Sequence, residues 1–139
     1  MAPGAQAEET APVRRVTFTF DTGMLIALER RKRRATEAFR AIVARGHLPI
    51  VPAVVYVEWW RGRTDIREAI LSAVVVEGMS DALCRAAGEA LGAVKGASLA
   101  DAVVMASAAL RGGGIVYSSD LPDLERLQRR FPTVRVLPV

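Results

Sequence analysis

The chain has one cysteine and one histidine among its 139 residues. A single Cys84 excludes an intrachain disulfide and a cysteine zinc site, and it is expected to pack on a helix as a small apolar residue. A single His47 would have to serve any Ser-His-Asp triad. It stands in the turn-like Arg45-Gly46-His47-Leu48-Pro49 with no nucleophile elbow beside it, and reads as a loop residue. No apolar run approaches the ~20 residues that span a bilayer. Met1 to Pro12 holds no continuous apolar stretch of the kind a signal peptide needs, so a cytoplasmic protein is expected. There is no internal repeat and no Walker lysine motif. The Gly112-Gly113-Gly114 run follows a helical segment rather than a strand, which excludes a nucleotide-binding loop. Catalysis, if any, falls to acids, hydroxyls, arginines or a metal.

Hydrophobic residues make up 51% of the chain, enough for one globular domain with a real core. The composition of residues 1–14 reads as a flexible tail, leaving 15–139 as the domain. Net charge is +4, and only Lys32 and Lys95 among the 19 basic residues are lysine. The planar fork of arginine pairs with phosphate through two bonds, which favours a polyanionic partner; a basic surface that merely aids solubility is the plain alternative.

Strand patterns fall at Val16–Phe20, Leu48–Val51, Val74–Val76, Ile115–Ser118 and Val134–Leu137. Helical patterns fall at Thr22–Leu28, Thr36–Arg45, from Pro52 to near Gly62, from a Thr64 cap to Leu71, from a Ser80 cap to Val94, from a Ser98 cap over Leu99–Leu110, and at Leu121–Arg130. Short, uniformly apolar strands alternating with helices predict a three-layer α/β/α domain around a five-stranded parallel sheet, each strand covered on both faces.

Four carboxylates stand out against this background. Asp21 and Asp120 each follow a strand and precede a helix, which places them at the carboxyl edge of a parallel sheet, where ligands gather. Asp101 opens Asp101-Ala102-Val103-Val104, and Glu58 interrupts an apolar helix ahead of Trp59-Trp60. Each has a structural alternative. Asp21 and Asp120 are good helix caps, Ser98 to Asp101 has capping-box spacing, and Glu58 is placed to pair with Arg61. One shared site explains all four at once. Converging carboxylates repel, and one or two Mg²⁺ or Mn²⁺ ions would relieve that, some acids acting through water. Such ions activate water against a phosphodiester and stabilise the leaving oxygen.

Four segments carry a family resemblance: Phe20-Asp21-Thr22-Gly23-Met24-Leu25-Ile26-Ala27-Leu28, Val51-Pro52-Ala53-Val54-Val55-Tyr56-Val57-Glu58 with Arg61-Gly62, Ser98-Leu99-Ala100-Asp101-Ala102, and Val116-Tyr117-Ser118-Ser119-Asp120-Leu121-Pro122-Asp123-Leu124. In this order and spacing they resemble PIN-domain ribonucleases, in particular the VapC-like toxins of bacterial toxin–antitoxin pairs. The resemblance covers nearly the whole chain after about residue 15. It implies that Asp21, Glu58, Asp101 and Asp120 form the metal-binding, catalytic acids, that Ser119 supports them by hydrogen bonding, and that Asp123 contributes from beside them. It further implies Mg²⁺- or Mn²⁺-dependent cleavage of RNA, a homodimer, and a cognate antitoxin that blocks the site. One position departs from the family pattern. Gly23 stands where a hydroxyl residue often follows the first acid, and it cannot donate a side-chain hydrogen bond.

Among the basic residues, Arg61 and Arg63 follow the Glu58 helix and are candidates for RNA phosphate. Arg30 and Arg31, in the block Arg30-Arg31-Lys32-Arg33-Arg34, offer either a phosphate track or a solvated helix face. Trp59 and Trp60 suit base stacking, core packing, a dimer interface or a groove for an antitoxin segment. Two further functions compete with the nuclease. An inactive PIN-like module would bind RNA or protein without cutting, and Gly23 leaves room for it. A haloacid-dehalogenase-type phosphatase would require a second Asp at position 23.

Overall fold

The five expected strands all form, and they pair in a single parallel sheet. The computed structural model describes residues 16–139, so the expected tail over 1–14 lies outside the described residues. The elements are β1 (Phe18–Phe20), α1 (Thr22–Glu29), α2 (Arg33–Ala44), β2 (Ile50–Pro52), α3 (Ala53–Trp59), α4 (Asp65–Leu71), β3 (Val75–Glu77), α5 (Asp81–Ala93), α6 (Leu99–Leu110), β4 (Gly114–Ser118), α7 (Leu121–Gln128) and β5 (Val134–Pro138). The sheet order is β3-β2-β1-β4-β5, parallel throughout. Around α1 gather α2, α3 and α4; around α6 gather α5 and α7, which completes the three layers.

This order decides where a site belongs. From β1 the chain steps outward through β2 and β3, then returns past β1 to build β4 and β5 on the other side. Connections therefore diverge between β1 and β4, and the crevice beyond their carboxyl ends is the natural ligand position in an open parallel sheet.

The core explains the central elements. Phe18, Thr19 and Phe20 of β1 are all buried. In α6, Ala102 to Ala108 are buried without a break, and their small side chains let the helix lie close beneath β1, β2 and β4. Each fully buried Phe20, Met24, Leu25 or Met105 contributes about 1.5–3 kcal/mol of transfer free energy. Gly113 and Gly114 have φ of 101° and 147°, and β-carbons there would run into the backbone of Thr133 and Thr17. Only glycine lets β4 enter between its two neighbours this closely.

Five local expectations are corrected. The three-valine run lies at an edge, with Val75 44% and Val76 42% exposed, because the chain order leaves β3 without an outer neighbour. Pro52 closes β2 and precedes α3 rather than opening the helix, its ψ of 146° being extended. The same helix ends at Trp59, short of Gly62, and α2 begins at Arg33 inside the basic block, where Arg33 pairs with Glu37 one turn on. Cys84 is exposed, because Leu83 and Ala87 take the inward face of α5.

Two arginine–glutamate clamps tie elements together. Glu29 on α1 accepts from Trp59 Nε1 at 2.9 Å and meets Arg67 Nη2 of α4 at 2.7 Å. Glu77 on β3 accepts from Ser107 Oγ at 2.5 Å and meets Arg111 Nη2 at 2.6 Å, which anchors the edge strand to α6.

Candidate active site

Beyond the ends of β1 and β4 lies a cleft of about 340 Å³ lined by Asp21, Glu58, Asp101, Asp120 and Asp123, with Thr22, Ser98 and Ser119 between them. All four acids singled out in the sequence thus reach one cavity, and Asp123 joins them. They arrive from four separate places: the β1–α1 junction, the last turn of α3, the first turn of α6, and the β4–α7 junction.

Asp21 is both a cap and a lining group. Its Oδ1 accepts the Met24 backbone N–H at 2.8 Å, which starts α1, while its side chain faces the cleft. It is only 5% exposed. Burial raises its pKa from 3.8 to about 6; bonds from Ser118 and Met24 pull it down, and repulsion from Asp101 and Asp120 adds to the rise.

Asp101 sits behind the Ser98 cap, whose hydroxyl accepts the Asp101 N–H at 3.1 Å. Burial raises its pKa first, opposed by bonding to Ser98; Asp123, Asp120 and Glu58 push it further up. Asp120 caps nothing with its side chain. Its N–H is held by Ser118 Oγ at 2.8 Å. A hydrogen bond shared with the Asp123 carboxyl raises its pKa, with burial and the Asp123 charge adding, against the pull of Arg126.

Glu58, which interrupts an apolar helix in the sequence, is exposed. Helical spacing turns Val55 and Trp59 inward and sends Val57 and Glu58 outward. The alternative pairing with Arg61 does not form, since Arg61 Nη1 donates to the Val57 and Trp60 carbonyls. Glu58 is held by Thr22, whose Oγ1 donates to Oε1 at 2.6 Å.

Thr22 and Ser118 escaped the sequence reading. Thr22 adjoins Asp21, but its partner is 36 residues away. Ser118 looks like the end of an apolar strand, yet it bonds both Asp21 and the Asp120 backbone. Gly23 also gains a reason. A β-carbon there would fall on Ser119 Oγ, so the Ser119 hydroxyl fills the space a side chain at 23 would need.

The donor chemistry of the cleft is carboxylate and hydroxyl oxygen, which suits a hard divalent cation, and repulsion among the acids adds to the burial that raises the pKa values of Asp21 and Asp101. Among the described residues, no three Asp, Glu, His or Cys side chains stand close enough to hold an ion together. Mg²⁺ keeps several waters and leans on one or two carboxylates, so a loose ring of acids fits it where a closed cage of direct ligands is missing.

None of the four arginines proposed for RNA lines this cleft. Arg30 ends α1. Arg31 rims a separate groove of about 600 Å³ floored by Leu28, Phe39, Ile66 and Ile70. Arg63 lies 4.0 Å from Glu68, and Arg61 folds back on its own helix. Trp59 is buried against Glu29, which removes it from base stacking, and Trp60 packs edge-on to Tyr56 and Trp59. Among the described residues, no helix is long and apolar enough to cross a membrane.

No protein-family model and no curated protein matches the sequence. Solved structures do match by fold. A chain of VapBC2 from Rickettsia felis, bound to a DNA fragment from its promoter, superposes with a TM-score of 0.69 at 10% identity, covering 89% of this chain and 99% of that one. DNA-bound VapBC from Salmonella typhimurium gives 0.66 at 16% identity over 89% and 98% of the two chains. A toxin–antitoxin complex from Klebsiella pneumoniae gives 0.63 at 20% identity over 85% and 95%. At these identities the likeness establishes a shared fold, and at that level it meets the resemblance carried by the motifs.

Proposed function

We propose that the protein is a Mg²⁺- or Mn²⁺-dependent endoribonuclease acting as the toxin of a VapBC-type pair. The observation that carries this reading is the convergence of acids from four separate elements on the cleft between β1 and β4. Asp21, Glu58, Asp101 and Asp120 are the acids that would hold the ion, directly or through water, with Asp123 beside them. When bound, the ion supplies an activated water and charge stabilisation for breaking a phosphodiester. The chain's own residues supply order. Met24 N–H and Ser118 fix Asp21, Ser98 fixes the helix start that carries Asp101, and Thr22 steadies Glu58 so that it orients the attacking water.

The fold neighbours are described as VapBC or toxin–antitoxin complexes, which supports an antitoxin as partner. The groove floored by Leu28, Phe39, Ile66 and Ile70 and rimmed by Arg31, Arg33 and Arg40 suits an amphipathic, acidic antitoxin segment. A cytoplasmic homodimer completes the proposal.

The lack of three closely grouped acids favours a second reading, a PIN-like module that binds RNA or protein without cutting. Incubation of total RNA with the purified chain separates the two. The nuclease fragments RNA with Mg²⁺ or Mn²⁺ and stops with EDTA. Intact RNA under both conditions, together with measurable RNA binding, would establish the inactive module. For the toxin role, expression alone should arrest bacterial growth and co-expression of the antitoxin should restore it; harmless expression of an active nuclease removes that role.

A further inference from the structure

A second depression, separate from the acidic cleft, gathers basic side chains at the far end of α7. Helix α7 follows Asp120 at the cleft, carries Asp123 in its first turn, and is followed by Arg129 and Arg130. A shallow depression of about 450 Å³ lies alongside its carboxyl end, with Lys95 on one wall and Arg126, Arg129 and Arg130 on the other. The two walls are pinned together. Arg126 donates to the Lys95 carbonyl at 3.0 Å, to the Gly96 carbonyl at 3.2 Å and to Asp123 Oδ1 at 3.3 Å. Gly96 makes this possible: its φ is +80°, and a β-carbon there would press on the Arg126 guanidinium.

Arg126 is thus spent on holding the loop, while Lys95, Arg129 and Arg130 make no ion pair among the described residues. Other arginines, such as Arg34 and Arg135, also make no ion pair among the described residues; what sets this place apart is that three such cations share one depression at the end of the helix that carries Asp123. From Asp123 to Arg129 the helix rises about 9 Å at about 1.5 Å per residue. Stacked nucleotides advance about 3.4 Å each, so the ledge lies two or three nucleotides from the acids.

We infer that Lys95, Arg129 and Arg130 form a phosphate-binding ledge that carries the RNA strand next to the cleft. The partner is a single-stranded ribopolynucleotide held by its backbone, without base readout, since the ledge offers cations and no exposed aromatic. Arg126 is a positioning residue that keeps Lys95 opposite Arg129 and Arg130.

The inference rests on the nuclease reading, and one experiment tells their failures apart. Binding of a labelled oligouridylate is measured by fluorescence anisotropy across a salt series in Mg²⁺, on the full chain carrying Asp101→Asn to suppress cutting. Adding Arg129→Ala and Arg130→Ala should weaken binding on the order of tenfold at 0.1 M salt and lower the slope of log K against log salt by about 1.4. The same charge loss at Arg33 and Arg34 should change affinity by less than about twofold, as those exposed side chains lie away from the cleft. Equal losses from both pairs would reduce the effect to net charge and overturn the ledge. So would unchanged RNA affinity accompanied by lost binding to polyglutamate, which would make it a protein-docking surface. If the parent chain binds no RNA at all, the ledge and the nuclease reading fail together; if it binds RNA and the ledge variants bind as tightly as the parent, the ledge fails alone.

Discussion

Glu29 and Glu77 differ from the acids of the cleft in what faces them. Each is enclosed by packed elements, and each meets an arginine at 2.7 or 2.6 Å and a neutral donor on its other oxygen. In the cleft, five carboxylates share one cavity, and Arg126, bonded to Asp123, is the basic side chain that reaches them among the described residues. Burial raises the pKa values of Asp21 and Asp101, a hydrogen bond with Asp123 raises that of Asp120, and repulsion within the cluster adds to each. The fold can neutralise an acid where the acid serves packing. In the crevice such acids gather with few basic partners, a contrast that the proposed ion would resolve.

The sharpest way to break this contrast is to remove one acid from each set. Asp101→Asn should lower divalent-dependent RNA cleavage on the order of a hundredfold or more, since the ion's charge stabilisation is worth several kcal/mol. Circular dichroism should show the fold retained. Full activity in this variant would dissolve the cleft as a site. Glu29→Ala should do the reverse, costing roughly 1–3 kcal/mol in urea unfolding by leaving Arg67 unpaired, with the metal dependence of cleavage unchanged; that range is set below the value for fully buried pairs because both partners are about a fifth exposed.

A smaller effect comes through pH. Between about 4 and 6 the folded, ion-free protein keeps the Asp21 proton that the unfolded chain has released. Asp21 therefore makes stability fall as pH rises through this window and level off above about 6, by at most about 2–3 kcal/mol. Unfolding of Asp21→Asn, which keeps an oxygen for the Met24 cap, should lack this component. Mg²⁺ competes with the proton, so its lift of the wild-type Tm should be larger at pH 7.5 than at pH 5. An equal lift at both values would separate the ion from Asp21. Smallest is Thr22→Val, which frees Glu58 and should reduce cleavage by about 1 kcal/mol of transition-state stabilisation, read as a several-fold lower kcat/KM.

Much of this was legible in the chain. Asp21 follows a strand and starts a helix, and Ser98 begins Ser98-Leu99-Ala100-Asp101; both place an acid on a helix start through local chemistry that survives without tertiary contacts. Glu58 stands out in the sequence as an acid within an apolar helix, and it lines the cleft from an exposed face. The bond from Thr22 to Glu58 and that from Arg126 to the Lys95 carbonyl join residues 36 and 31 apart, so no local pattern shows them. The basic block Arg30 to Arg34 drew attention by density, although position relative to the cleft is what matters for phosphate.

The amino-acid sequence by itself determined the run of strands and helices, and with it which acids stand at element junctions, because caps, apolar periodicity and glycine act over a few residues. Only the tertiary structure decided that β3 is an edge, that β1 and β4 open a crevice, and which carboxylates meet an arginine and which meet one another. Charge compensation depends on distance in space, and that is set by the order in which strands enter the sheet.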